Sequence, residues 1–398
     1  DHDLAELRRL ERQLREIGVG TAPRTPRGTR AVTTEVTAVR RELLRLERQI
    51  TAATRLQPGD PRALGSRVDL AALRAQLDDT TLVEYIDVDG ALHATVLTRR
   101  STRLVALAPT ERVLGLMAYL AFEIRRLSML WEHHGRAAAA MVSCRQMAGE
   151  IDALIVAPLR LADGPLIVVP TGPLHSLPWS ALPGMQRAEG VTIAPSAAWW
   201  MGPATARPAS QGVLLVHGPD LPHAPGELAA IAAVAHEPVV LAGADATAGR
   251  VRDAMARAGL VHIAAHGSFR ADNPMFSSVR LADGPLYVHD LERLPARPHT
   301  VVLTACNAGR SGVYGGDELL GTGAALLALG VRSVIAPLLP VRDEATAPFA
   351  ADLHRQLALG ATAAAALGRV SVAAMSSDDP ALLATAASFQ CLGRRIDR

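Results

Sequence analysis

The sequence contains no lysine: all 41 basic residues are arginine, set against 39 acidic ones for a net charge of +2. A Walker-type phosphate loop, which needs a lysine, is thereby excluded. With no basic block and only 3% aromatic residues, there is no electrostatic or stacking footprint for nucleic acid. Cysteine is scarce too. Cys144, Cys306 and Cys391 stand far apart and odd in number, so free thiols in a reducing, cytoplasmic setting are expected rather than a disulfide framework. No apolar run approaches the ~20 residues that span a bilayer, so no membrane partner is expected. Paired C-x-x-C, H-E-x-x-H and G-x-S-x-G motifs are missing, as is the third glycine of a dinucleotide fingerprint; neither metal nor cofactor is expected. The chain opens Asp1-His2-Asp3-Leu4 without Met, which reads as the C-terminal portion of something longer.

At 398 residues and 49% hydrophobic, the chain has the composition and length for a large buried core and a catalytic cleft. Leu4, Leu7, Leu10, Leu14 and Ile17, then Val32, Val36, Val39, Leu43, Leu46 and Ile50, predict two amphipathic helices. Gly18 to Arg30 breaks them into a hairpin over residues 1–56, packed on the main domain or against another chain. Beyond a linker, residues 68–398 form the principal domain. Within it, residues 68–160 predict a β-hairpin, Thr81 to Ile86 and Ala94 to Leu97 across an Asp87–Gly90 turn, followed by long helices.

From residue 165 onward, short apolar runs recur: Leu166 to Val169, Val191 to Ala194, Val213 to Val216, Val239 to Leu241, Val261 to Ala265, Val301 to Ala305 and Ser333 to Ala336. They lack period-two polarity, as parallel strands buried on both faces do, so residues 165–398 predict an α/β core with a mostly parallel sheet flanked by helices. In such sheets, sites form beyond the carboxyl ends of strands. One apolar run ends at His266-Gly267-Ser268, another at Cys306-Asn307-Ala308-Gly309. A His and a Cys at neighbouring strand ends supply a base and a nucleophile: the thiolate attacks a carbonyl carbon, and the imidazole takes the thiol proton and returns it to the leaving amine. The backbone N–H groups of Gly267 and Cys306 are suited to an oxyanion hole, and Gly267 admits a close carbonyl.

These residues resemble the CHAT domain, a caspase-like cysteine protease family. The likeness runs through HIAAHGSFRADNPMFSSVRLADGPLYVHDLERL from His262, VVLTACNAG, GGDELLG and LGVRSVIAPLLPVRDEAT, with VVPTGPLHSLPWSAL and LVEYIDVDGALHATVLTRR upstream. The resemblance implies a caspase-like fold, His266 as base, Cys306 as nucleophile, no required third carboxylate, and a protein or peptide substrate. Such domains commonly follow tetratricopeptide repeats and act as regulated proteases, several in bacterial defence or cell death; an N-terminal repeat region or regulatory protein partner is therefore expected. Departures are Leu339 for a common Trp, Ala265 before the base, and the tail SFQCLG. Asp317, Glu318 and Asp343 are candidates for lining a substrate pocket, with helix capping as the plainer reading, and Arg342 argues for the opposite charge preference. The alternative function is a weakly active or latent caspase-like module working by protein–protein interaction.

Overall fold

The computed structural model describes residues 69–130, 134–202, 212–268, 274–292, 294–304 and 325–394, together with residues 6–10, 13, 36, 38, 39, 41–43, 45, 46 and 323. Eleven strands form one sheet, in the order β3-β2-β1-β4-β5-β14-β13-β12-β8-β6-β7. They are β1 (Thr81–Val88), β2 (Ala91–Leu97), β3 (Thr102–Pro109), β4 (Pro165–Val169), β5 (Gly190–Ile193), β6 (Gly212–His217), β7 (Val239–Leu241), β8 (Ala258–Ala264), β12 (Thr300–Leu303), β13 (Ser333–Pro337) and β14 (Phe389–Gly393). A second, three-stranded sheet contains β9 (Gly267–Ser268), β10 (Ser278–Leu281) and β11 (Gly284–Tyr287).

All seven strands expected from apolar runs are present, with ends shifted by no more than three residues and β7 matched at both ends. The β1–β2 hairpin closes on Asp89 and Gly90, both left-handed at φ 52° and 79°, the two-residue turn whose twist matches the flanking strands. Three features lie beyond the expected pattern: β3, the small sheet, and β14 in the tail. Within the eleven-stranded sheet, pairing is parallel except at β1–β2, β2–β3 and β13–β14; the small sheet is antiparallel throughout. The antiparallel β13–β14 seam therefore divides this mostly parallel sheet, as expected of the fold class, into two blocks of opposite direction.

Both faces of the strands are apolar because both are covered. On β4, Leu166 and Val168 join the large core, whereas Ile167 and Val169 pack with Leu73, Leu77, Ala197 and Trp200. These come from α1 (Leu70–Gln76), the segment after it, and α4 (Ala197–Met201). The long helices α2 (Thr110–Leu130) and α3 (His134–Ile155) pack together and contribute Leu120, Ile124, Leu127 and Ile151 to the large core. In the other block, Leu215 of β6 and Ala264 of β8 pack under α5 (Ala224–Ala232) and α7 (Asp343–Ala358) through Leu228, Ile231 and Ala350. The remaining helices α6 (Ala248–Met255), α8 (Ala363–Met375) and α9 (Pro380–Ser388) also feed the large core. Among the described residues, no helix is long and apolar enough to cross a membrane.

The described residues of the N-terminal region are helical. Leu7, Leu10, Val39, Leu43 and Leu46 gather around Phe276 and Tyr287 beside β11. Arg8 clamps the contact: it pairs with Asp290 at 2.6 Å, donates to the Pro285 carbonyl at 3.0 Å and lies over the Tyr287 ring.

Candidate active site

β8 and β12 are parallel neighbours, with Thr300 opposite Leu260 and Leu303 opposite Ile263. The ladder continues one residue further, the Thr304 N–H donating to the Ile263 carbonyl at 3.1 Å. The two runs that end in His266 and toward Cys306 thus finish side by side. Cys306, Asp317 and Glu318 themselves lie outside the described residues.

His266 is partly exposed, and its Nε2 stands 3.1 Å from the Asp220 carbonyl oxygen. A carbonyl only accepts, so Nε2 carries the hydrogen and the neutral ring has its lone pair on Nδ1. Asp220 sits in the loop between β6 and α5 in the left-handed conformation, φ 63°. Its carboxylate pairs with Arg280 of β10, and the Arg280 N–H donates to the His266 carbonyl at 2.8 Å. One arginine therefore ties the carbonyl-bearing loop to the imidazole-bearing one. Gly218 lets the two loops meet. Its N–H reaches the Ala264 carbonyl at 2.8 Å, and a Cβ there would lie 2.5 Å from the Arg280 oxygen and 2.7 Å from the Ala265 Cβ.

Gly267 opens β9 opposite Val279. Because the bond in this stretch joins residue 280 to residue 266, Gly267 and Val279 form a pair that exchanges no hydrogen bonds, and the Gly267 N–H points away from β10. That orientation suits an oxyanion donor.

Asp343 begins α7 just beyond the end of β13, and its Oδ2 accepts the His223 N–H at 2.8 Å. The 218–223 loop thus touches His266 through Asp220 and Asp343 through His223. Burial raises the Asp343 carboxyl above its usual range, against the opposing hydrogen bond from His223. Arg342 is held by Glu344 in two hydrogen bonds of 3.1 Å, and that bonding lowers the Glu344 carboxyl.

The other cysteines behave as small core residues. Cys144 and Cys391 are buried, and burial pushes each thiol up to about 12. Trp179 is likewise structural: its ring lies 5.3 Å from that of Tyr85, centroid to centroid, and it donates to the Leu174 carbonyl at 3.2 Å.

Sequence reasoning missed Asp220, Gly218 and Arg280. A signal was present for the first two: β6 ends in His217-Gly218-Pro219-Asp220, the same strand-then-glycine pattern that singled out His266. Arg280 belongs to a strand of the small sheet and left no such mark.

The sequence profile of the CHAT domain matches residues 145–394, well over half of the chain. The chain belongs to the CHAT domain family. The profile starts downstream of β1–β3, although those strands join the same sheet through the parallel β1–β4 pair. Among solved structures, the chain is similar to the Saccharomyces cerevisiae separase–securin complex, solved at 3.0 Å, with a TM-score of 0.52 at 10% identity. The match covers 81% of this CHAT chain and 30% of that chain, so the chain spans about a third of the length of its structural neighbour. No curated protein matches the sequence. Fold and family together are those of a caspase-like, protease-type module.

Proposed function

We propose that this CHAT domain is a cysteine endopeptidase that hydrolyses peptide bonds in a protein substrate, with Cys306 as nucleophile and His266 as base. The observation that carries the reading is the Nε2–H of His266 held on the Asp220 carbonyl, which leaves Nδ1 as the basic atom beside the end of β12. Nδ1 takes the thiol proton, the thiolate adds to the scissile carbonyl, and the N–H groups of Gly267 and Cys306 bind the oxyanion. The imidazolium then protonates the leaving amine, and water attacks the thioester after losing its proton to the same nitrogen. The Asp220 carbonyl stabilises the imidazolium throughout without taking a proton. Asp343, Asp317 and Glu318 are proposed to line the substrate cleft, with the second oxygen of Asp343 available to a substrate residue.

The test is the rate of Cys306 alkylation against pH, in the intact chain and in His266→Ala. The pairing predicts fast reaction well below the ordinary thiol pKa of about 8.5, lost in the variant. Superimposable profiles would contradict it.

A second reading has its own observation. The N-terminal helices grip Phe276, two residues before β10, and Tyr287 of β11, in the small sheet that begins directly after His266. A regulatory protein or repeat region bound to those helices would then act on the site through β9–β11, as expected of a cytoplasmic protease held latent until activated.

A further inference from the structure

Three ionisable side chains that the catalytic pair does not use lie in a row beneath it. Glu227 in the first turn of α5, His262 in the middle of β8 and His354 on α7 are 1%, 0% and 2% exposed. His262 Nε2 stands 3.0 Å from Glu227 Oε1, and its Nδ1 stands 3.0 Å from His354 Nε2. The two rings meet nearly edge to face, centroids 5.0 Å apart. On the other side, Thr304 Oγ1 lies 3.4 Å from the same His262 Nε2.

The proton positions follow from the partners. A Glu227 carboxylate only accepts, so His262 Nε2 carries a hydrogen, and the second bond shares one hydrogen between His262 Nδ1 and His354 Nε2. Burial first, and the adjacent His262 second, push the His354 ring well below the ordinary imidazole range, which keeps it neutral. The bonds therefore run without a break from His354 through His262 to Glu227. They end at the start of α5, where the helix dipole favours negative charge.

Burying such groups is costly, and apolar residues of the same volume would fill the space without that cost. What the polar set adds is orientation. It joins four elements that each hold part of the site: α5, whose preceding loop presents the Asp220 carbonyl; β8, which carries His266 four residues after His262; Thr304, two residues before Cys306; and α7, whose Asp343 is bonded to the loop before α5. We propose that Glu227, His262 and His354 form a buried positioning network that fixes the His266 imidazole relative to the thiol-bearing end of β12. The inference rests on the Cys306–His266 reading.

The experiment compares the intact chain with His262→Gln, His354→Phe and His266→Ala. Gln at 262 keeps a donor for Glu227 and loses the bond to His354; Phe at 354 keeps the packing of α7 and loses the same bond from the other side. The readouts are Cys306 alkylation against pH and steady-state peptide cleavage. In both network variants the low-pH alkylation rate is expected to fall about tenfold, the profile to move up by about one unit, and kcat to drop with KM little changed. A profile and kcat matching the intact chain in either folded variant would overturn the network. Should His262→Gln not fold, His354→Phe decides alone; should neither fold, nitrogen-15 histidine NMR of the intact chain decides. That spectrum is expected to show a hydrogen on His262 Nε2, facing Glu227, and a bare Nε2 at His262 would overturn the proposal. An intact chain that already alkylates like His266→Ala would instead remove the catalytic pairing itself.

Discussion

In the proposed mechanism a backbone carbonyl at Asp220 does for His266 what a third side chain does in many hydrolytic sites: it accepts the hydrogen bond from Nε2–H and so leaves Nδ1 as the base. That contact depends on Gly218, where any side chain would collide with backbone and with Ala265. Gly218→Ala is expected to cost about 1–3 kcal/mol by overpacking and to displace the Asp220 loop. Thermal unfolding should shift downward and low-pH alkylation of Cys306 should slow together; a variant that alkylates normally would show that the loop does not position His266. A second consequence is pH-dependent stability. Burial lowers the pKa of His354 strongly, and burial followed by Arg332 lowers that of His299. A histidine depressed in the folded state stabilises the fold above its unfolded pKa of about 6.5 and loses that contribution as pH falls toward the folded value, because the unfolded chain takes up a proton first. Denaturant unfolding should therefore weaken below pH about 6.5, by up to about 1.4 kcal/mol per pH unit for one fully buried imidazole. His354→Phe should flatten that slope, and an unchanged slope would assign the acid sensitivity elsewhere.

Among the elements, those visible in the sequence were the ones whose burial follows a simple period. β4, β6, β8, β12 and β13 are apolar on both faces because helices cover both, and the strand-end rule then pointed to His266 directly. The 81–97 hairpin was legible from its Asp-Gly turn. β3 was not, since its burial pattern is mostly exposed, nor was the small sheet, whose strands are only two to four residues long. β14 hid in SFQCLG, where a polar Gln390 interrupts the apolar run yet is itself buried. The buried His262 also escaped notice, because a histidine inside an apolar run gives no sign in sequence of its partners on two distant helices. The N-terminal helices were legible as amphipathic, though their docking surface was not. Deleting residues 1–56 removes the cover from Phe276 and Tyr287 and the Arg8–Asp290 pair. The shortened chain should bind more of a hydrophobic dye and alkylate Cys306 more slowly, through loosening of β9–β11. Dye binding and alkylation both unchanged would show that the helices neither shield nor steady the small sheet.

Over the whole molecule, the seam between β13 and β14 joins two parallel blocks into one sheet, and the candidate site occupies one end of one block. The carboxyl ends of β6, β8 and β12 and the start of α7 converge there. Asp220, His266 and Asp343 come from segments spread over more than a hundred residues, yet they are gathered around a single loop, and Thr304 is bonded to β8 beside them. The other block points its strand ends the opposite way and contributes core, through Trp179, Phe389 and the long helices, rather than chemistry. In the proposed function this arrangement cleaves peptide bonds through Cys306. Its most direct test is mass-spectrometric profiling of a proteome-derived peptide library incubated with the intact chain, with Cys306→Ala as the blank. Cleavages are expected only with the thiol present, sharing a preference at the residue before the cut; the same cleavages in the Cys306→Ala sample would rule out Cys306 as the nucleophile.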